Sequence, residues 1–181
     1  MSFNFTAETA TPEHLYKLQQ LAMGQRGIEG LYLELGSFEG RSSMAICEAI
    51  FPSALICVDT WEGGLDGFGH DKTSYIRFIH NMSEADCLYT DIRMDMFEYL
   101  KEAKKEYTFI YLDASHDYPS VKKGIEMCLP LLVPGGLLCG DDFINAGLHR
   151  EDLQGGVERA VREFIQADKL NIKDNMWWTV V

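Results

Sequence analysis

Five short apolar runs recur along the chain with helix-patterned stretches between them, and that alternation limits the folds open to it. The runs cover residues 30–36 (GLYLELG), 54–60 (ALICVDT), 86–90 (DCLYT), 108–114 (TFIYLDA) and 136–142 (GLLCGDD). Helical spacing is expected at 41–51, 71–82, 94–105 and 118–132, and again at 157–168 after the fifth run. Strands alternating with helices are joined by crossovers and pair in parallel, and strands apolar along most of their length are covered on both faces. An opening helix runs from Pro12 to near Gly24, with Leu15, Leu18, Leu21 and Ala22 on one stripe and Thr11 as its N-cap. LNIK and MWWTVV at the end read as a short hairpin braced by Trp177 and Trp178. The expected architecture is a doubly wound α/β sheet. At 181 residues the chain has room for one sizeable core and not for two ordinary domains, so 1–181 is read as one domain, with a helical segment at 1–28 and a sheet core at 29–181.

The charge balance narrows the partners. Sixteen basic against 28 acidic residues give a net charge of -12, which repels nucleic-acid phosphates and anionic membrane surfaces. No stretch approaches the roughly 20 apolar residues of a membrane span. The five cysteines (Cys47, Cys57, Cys87, Cys128 and Cys139) form no CxxC pair and sit mostly in apolar segments, as reduced packing residues do. The opening MSFNFTAETA lacks the basic and apolar regions of a secretory signal, so a cytoplasmic location is expected. Assembly with further copies of the chain is left open.

Acids mark the strand ends. Glu34, Asp59, Asp91, Asp113 and Asp141 each lie at or near the C-terminal end of an apolar run. In doubly wound sheets ligands bind at that edge. A single strand-end Asp often caps the next helix; five along one rim exceed that requirement.

The loop LELGSFEGRSS (33–43) joins the first strand to its helix with the spacing E-x-G-x-x-x-G from Glu34, Gly36 and Gly40. A dinucleotide fingerprint would need glycine at 38 and 41, where the chain has Phe38 and Arg41. Glu34 and Glu39 would also repel a pyrophosphate. A ligand with a positive centre and a small carboxylate suits the loop better, the carboxylate at the helix N-terminus formed by Arg41, Ser42 and Ser43. YLELGSFEGRSS followed by ICVDTWEG resembles the first two motifs of class I S-adenosylmethionine-dependent methyltransferases. The resemblance implies a Rossmann-like, seven-stranded, mostly parallel sheet with a C-terminal antiparallel hairpin. It places Gly36, Ser37 and Gly40 along the methionine part of the cofactor, with Glu34 near its amino group. It gives Asp59 the ribose hydroxyls, sets Thr60 or Trp61 beside the sugar or adenine, and brings Asp91 and Ile92 to the adenine edge.

LDASHDY (112–118) and CGDDF (139–143) resemble the matching segments of metal-dependent O-methyltransferases, most closely the macrocin type and more distantly the catechol type. That resemblance implies Mg²⁺ ligands at Asp113, Asp141 and Asp142, with His116 as the catalytic base. The chemistry is coherent. Mg²⁺ takes carboxylate oxygens and leaves positions for a substrate diol, and a histidine with an ordinary pKa near ~6.5 accepts a hydroxyl proton at neutral pH. Both Asp141 and Asp142 can face one ion only if the chain turns there. Asp117 reads as a turn residue before Pro119 and Tyr118 as packing. His14, His80 and His149 stand alone, while His70 in the Gly-rich loop 61–70 is a weak substrate-contact candidate. Loop 147–156 is the candidate for selecting the acceptor.

The expected activity is transfer of a methyl group from S-adenosylmethionine to a hydroxyl of a small polar acceptor, a sugar-bearing natural product or an aromatic diol. The competing readings are a metal-independent methyltransferase on the same fold, an NAD-dependent oxidoreductase, and a noncatalytic nucleotide-binding subunit.

Overall fold

In the computed structural model, which describes residues 3–6, 10–62, 73–85, 87–104, 106–144 and 155–181, strands and helices alternate from end to end. The order is α1 (Pro12–Gly24), β1 (Leu31–Leu35), α2 (Arg41–Ile50), β2 (Ala54–Asp59), α3 (Ser74–Glu84), β3 (Leu88–Arg93), α4 (Met96–Glu102) and β4 (Tyr107–Leu112). It continues with α5 (Tyr118–Cys128), a 3₁₀ turn (Leu129–Leu131), β5 (Leu132–Gly140), α6 (Gly156–Phe164), β6 (Asn171–Lys173) and β7 (Met176–Val180). The seven strands form one sheet in the order β3-β2-β1-β4-β5-β7-β6. β1 to β5 are parallel, and β7 runs antiparallel to both β5 and β6. The order reverses between β1 and β4, which opens a crevice beyond their C-terminal ends.

Two apolar layers cover the sheet. One joins Leu18, Leu21 and Ala22 of α1 to Met44 and Ile46 of α2, Phe78 and Met82 of α3, and Tyr32, Cys57, Phe109, Tyr111 and Cys139 of the strands. The other joins Met96 and Leu100 of α4, Val121 and Ile125 of α5, and Val157, Ala160 and Val161 of α6 to Leu33, Leu35, Val58, Ile110, Leu112 and Leu138. Burying such side chains is worth roughly 1.5–3 kcal/mol each, so the alternating strand residues fix which face each helix takes. No described helix is long and apolar enough to cross a membrane.

Several boundaries depart from expectation: α3 spans Ser74–Glu84 and α4 Met96–Glu102 where 71–82 and 94–105 are expected, and β5 starts at Leu132, ahead of 136. β3 begins at Leu88 and runs to Arg93, because it pairs residue by residue with the six of β2, from Ala54↔Leu88 to Asp59↔Arg93. Asp91 and Ile92 therefore lie within the strand and not beyond it. The α5 helix stops at Cys128 because Pro130, with no N–H to donate, permits only a 3₁₀ turn before β5. α6 ends at Phe164, short of 168. The five cysteines form no disulfide.

Candidate active site

The glycine loop leaves β1 at Gly36, whose φ of 95° suits glycine. A Cβ there would stand 2.3 Å from the carbonyl oxygen of Asp113, so the first loop and the end of β4 meet backbone to backbone. Beneath it Glu34 is fully buried. Its Oε1 accepts from Ser42 Oγ at 2.6 Å, and its Oε2 accepts from Ser37 Oγ at 2.7 Å and from Ser43 Oγ. Burial pushes the Glu34 carboxyl up to about 7, against the pull of those three hydroxyls. Glu34 thus acts on the loop through its serines. Gly40, at φ 87°, is the N-cap of α2.

Asp59 ties this loop to the next. Its Oδ2 accepts from the Phe38 backbone N–H at 2.9 Å and its Oδ1 from the Trp61 backbone N–H at 2.7 Å. Phe38 and Trp61 both have positive φ. The Trp61 indole donates to the Phe38 carbonyl at 2.6 Å and packs on Tyr75 and Phe78, leaving 3% of its surface exposed. Its ring is therefore part of the core. Thr60 accepts from the Glu62 N–H through its hydroxyl and from Arg93 Nε through its carbonyl. Asp91 accepts from the Tyr75 hydroxyl at 2.7 Å, and Ile92 is half-buried beside it.

Across the crevice the acids converge. The Asp113 N–H donates to the Leu35 carbonyl at 2.9 Å, and the Asp113 Oδ2 accepts from the Tyr111 hydroxyl at 3.2 Å. His116 Nε2 lies 3.5 Å from Asp113 Oδ1 and 3.0 Å from Asp142 Oδ2. The chain does turn after Asp141: Asp142 has φ 54°, and its N–H donates to Asp141 Oδ1 at 2.7 Å. Asp141 is pushed up to about 8, by burial first and then by the charges of Asp113 and Asp142. Two residues that sequence reasoning passed over complete the group. His14 Nε2, from the first turn of α1, is 3.5 Å from Asp141 Oδ2 and 3.4 Å from the Tyr111 hydroxyl. Asn175 Nδ2, from the β6–β7 turn, donates to Asp142 Oδ1 at 3.1 Å. Burial lowers the pKa of His14, opposed by the charges of Asp113 and Asp142. Asp117 is the N-cap of α5, accepting from the Ser120 N–H at 3.0 Å.

Among the described residues no three His, Cys, Asp or Glu side chains stand arranged around one point as an ion would need. His116 occupies the space between two of the three carboxylates. The three carboxylates stand on one rim, where burial and the charges of Asp113 and Asp142 raise Asp141 to about 8. His70 and His149 lie outside the described residues, as do most of loops 61–70 and 147–156.

Residues 33–143, more than half of the chain, match the family model described as a methyltransferase domain. No curated protein matches the sequence. Among solved structures, the O-methyltransferase from Bacillus cereus in complex with SAH superposes with a TM-score of 0.71 at 15% identity, over 97% of this chain and 84% of that one. TomG from Streptomyces achromogenes, an O-methyltransferase of tomaymycin synthesis in complex with SAM, gives 0.71 at 16% identity over 99% and 84%. CalS11, a TDP-rhamnose 3'-O-methyltransferase of calicheamicin biosynthesis, gives 0.62 at 16% identity over 92% and 77%. At these identities the likeness is one of fold. With its seven-stranded sheet, its reversal between β1 and β4 and a family match across the crevice-forming strands, this chain belongs to the methyltransferase-domain family, among the class I S-adenosylmethionine-dependent methyltransferases.

Proposed function

We propose that the protein transfers the methyl group of S-adenosylmethionine to a hydroxyl of a small polar acceptor, a sugar-bearing natural product or an aromatic diol. The observation that carries this reading is the close contact of Gly36 with Asp113, which sets the cofactor loop against the acid rim at the reversal of strand order. The cofactor lies along Gly36, Ser37, Gly40 and Ser42, with its amino group toward the Glu34–serine cluster. Its ribose competes for Asp59, and its adenine lies toward Thr60, the Trp61 backbone, Asp91 and Ile92. That TomG is described with SAM bound and the Bacillus enzyme with SAH supports the choice of cofactor. CalS11 acts on a nucleotide-linked sugar, which supports a polar acceptor.

His116 is the group placed to take the acceptor proton. Its Nε2 sits between Asp113 and Asp142, whose carboxylates stabilise the imidazolium that forms and hold the ring in one orientation. As the acceptor oxygen attacks the methyl carbon in line, the carbon–sulfur bond breaks, its electron pair stays on sulfur, and the proton moves to His116. Holding both reactants in that line supplies much of the acceleration. Asp113, Asp141 and Asp142 would hold Mg²⁺. When bound, the ion would polarise the acceptor hydroxyl and orient a neighbouring oxygen.

Calorimetry with S-adenosylmethionine, with and without Mg²⁺, tests both halves. Binding of the cofactor is expected, together with a separate Mg²⁺ binding event that Asp113→Ala abolishes. Asp59→Ala is expected to weaken cofactor binding about 10- to 150-fold, the loss of a charge-assisted hydrogen bond worth roughly 1.5–3 kcal/mol. No heat with S-adenosylmethionine would overturn the cofactor assignment, and no heat with Mg²⁺ would remove the cation.

A further inference from the structure

Glu39 is a buried acid in the middle of the glycine loop, and part of what holds it comes from the start of the chain. Thr6 donates to it twice, from its backbone N–H to Oε2 at 2.7 Å and from its hydroxyl to Oε1 at 2.5 Å. We infer that residues 3–6 are a strap that holds the cofactor loop in its binding shape, with Asn4 and Thr6 as positioning residues acting through Glu39 and Asn81. They lie well before residue 33, where the family match begins. The inference rests on the placing of S-adenosylmethionine along that loop.

The loop needs such a hold. Phe38 and Gly40, on either side of Glu39, take φ of 45° and 87°. A phenylalanine in the left-handed region persists only where its surroundings over-determine it. Glu34 gathers Ser37, Ser42 and Ser43 from beneath, while Asp59 and the Trp61 indole hold the Phe38 backbone from the β2 side. Asp59 is also the group for which the ribose competes, so the bond to the Phe38 N–H is the anchor at risk when the cofactor arrives. The anchor on Glu39 is independent of Asp59.

The strap and α3 share that anchor. Arg77 and Asn81 stand one turn apart on α3, on one face of the helix. Arg77 Nε donates to Glu39 Oε1 at 2.5 Å, and Asn81 Nδ2 donates to the Glu39 carbonyl at 2.8 Å. The Asn81 amide also pairs with the Asn4 backbone as a neighbouring strand would. Its Oδ1 accepts from the Asn4 N–H at 2.7 Å, and its Nδ2 gives a second hydrogen to the Asn4 carbonyl at 3.2 Å. Between Asn4 and Thr6, the Phe5 ring lies 4.6 Å from the guanidinium of Arg41, the first residue of α2. The strap thus touches the loop at its middle and at its exit. Asn4 and Thr6 are themselves exposed, so altering Thr6 opens no cavity. What changes is the share of time the loop spends in its binding shape: a loop holding that shape about one tenth of the time binds about tenfold more weakly.

Thr6→Pro removes both donors to Glu39, and Thr6→Ser keeps them. The test follows SAH binding by calorimetry and, in the ligand-free proteins, hydrogen exchange of the backbone amides at 37–41. Thr6→Pro is expected to speed exchange at 37–41, to leave 139–143 across the crevice unchanged, and to weaken SAH binding about tenfold or more, with Thr6→Ser within about twofold of the unaltered protein. A strap that serves stability alone would lower the urea midpoint of Thr6→Pro and leave its SAH affinity within about twofold, and that result overturns the inference. Unchanged exchange at 37–41 in Thr6→Pro overturns it as well. In both cases the unaltered protein still binds SAH, so the inference falls alone. If the unaltered protein takes up no SAH, the cofactor placement falls and this inference falls with it.

Discussion

Glu34 is the buried acid on which the cofactor loop is built, and its ionisation sets a measurable pH dependence of folding. Its carboxyl titrates near 4.5 in an unstructured chain and is pushed to about 7 in the fold. Between those values the folded protein binds a proton that the unfolded chain has released, so stability falls as pH rises from about 4.5 and levels off above about 7. At about 1.4 kcal/mol per unit of pKa, that difference corresponds to about 3 kcal/mol. Because the group is fully buried, solvent screening takes little from this figure. Glu34→Gln removes the charge while keeping the shape: its carbonyl oxygen can accept from two serine hydroxyls, and its amide can donate to the third. The variant should therefore match or fall below the unaltered protein at pH 4.5 and gain on it by about 3 kcal/mol by pH 8. For a chain of this length that gain is roughly 6–12 °C in Tm. Urea unfolding of both proteins across pH 4.5–8 measures the difference directly, and contributions from other titrating groups largely cancel in it. A difference that stays flat across that range would refute a neutral-pH titration of Glu34.

Two further substitutions probe how the first loop is held. Gly36→Ala drives a Cβ into the Asp113 carbonyl at a position with φ 95°, so the loop must leave the end of β4. A cost of about 1–3 kcal/mol in stability is expected, with at least tenfold weaker SAH binding by calorimetry. Glu39 is 2% exposed and accepts from Arg77 Nε at 2.5 Å, from the Thr6 N–H at 2.7 Å and from the Thr6 hydroxyl at 2.5 Å. Glu39→Ala would remove one partner of a buried ion pair, and a loss of about 3–5 kcal/mol is expected in urea unfolding, with Glu39→Gln losing less.

The strands and the glycine loop were legible because their signals are local. An apolar run bounded by turn residues is read within a few positions, and the E-x-G-x-x-x-G spacing lies within a single loop. β3 was misjudged at its end because nothing in DIR (91–93) marks a strand; its pairing with β2 carries it to Arg93. His14 and Asn175 were illegible for a stronger reason. A lone histidine on an amphipathic helix and an asparagine in a hairpin turn each have an ordinary structural explanation. Their partners lie about 100 and 33 positions away, and only the packing of α1 on β4 and the antiparallel return of β7 along β5 bring them together.

The pleat explains why the site belongs to one face. Asp91, Cys57, Glu34, Tyr111 and Cys139 stand in one row across β3, β2, β1, β4 and β5. Side chains in such a row share a face, and Cys57, Tyr111 and Cys139 all pack in the layer beneath α1, α2 and α3. Two positions further along their strands come Asp59, Asp113 and Asp141, which the period of two returns to that same side. The acids therefore gather beneath α1 and α2, and α4 to α6 serve as backing. Asp142 is the exception, since the pleat would send it to the far side; its positive φ and the grip of Asn175 bring it back to His116. The rim needs that reversal. Two carboxylates come to the rim by strand alternation and the third by a turn, which Asn175 holds from the β6–β7 hairpin.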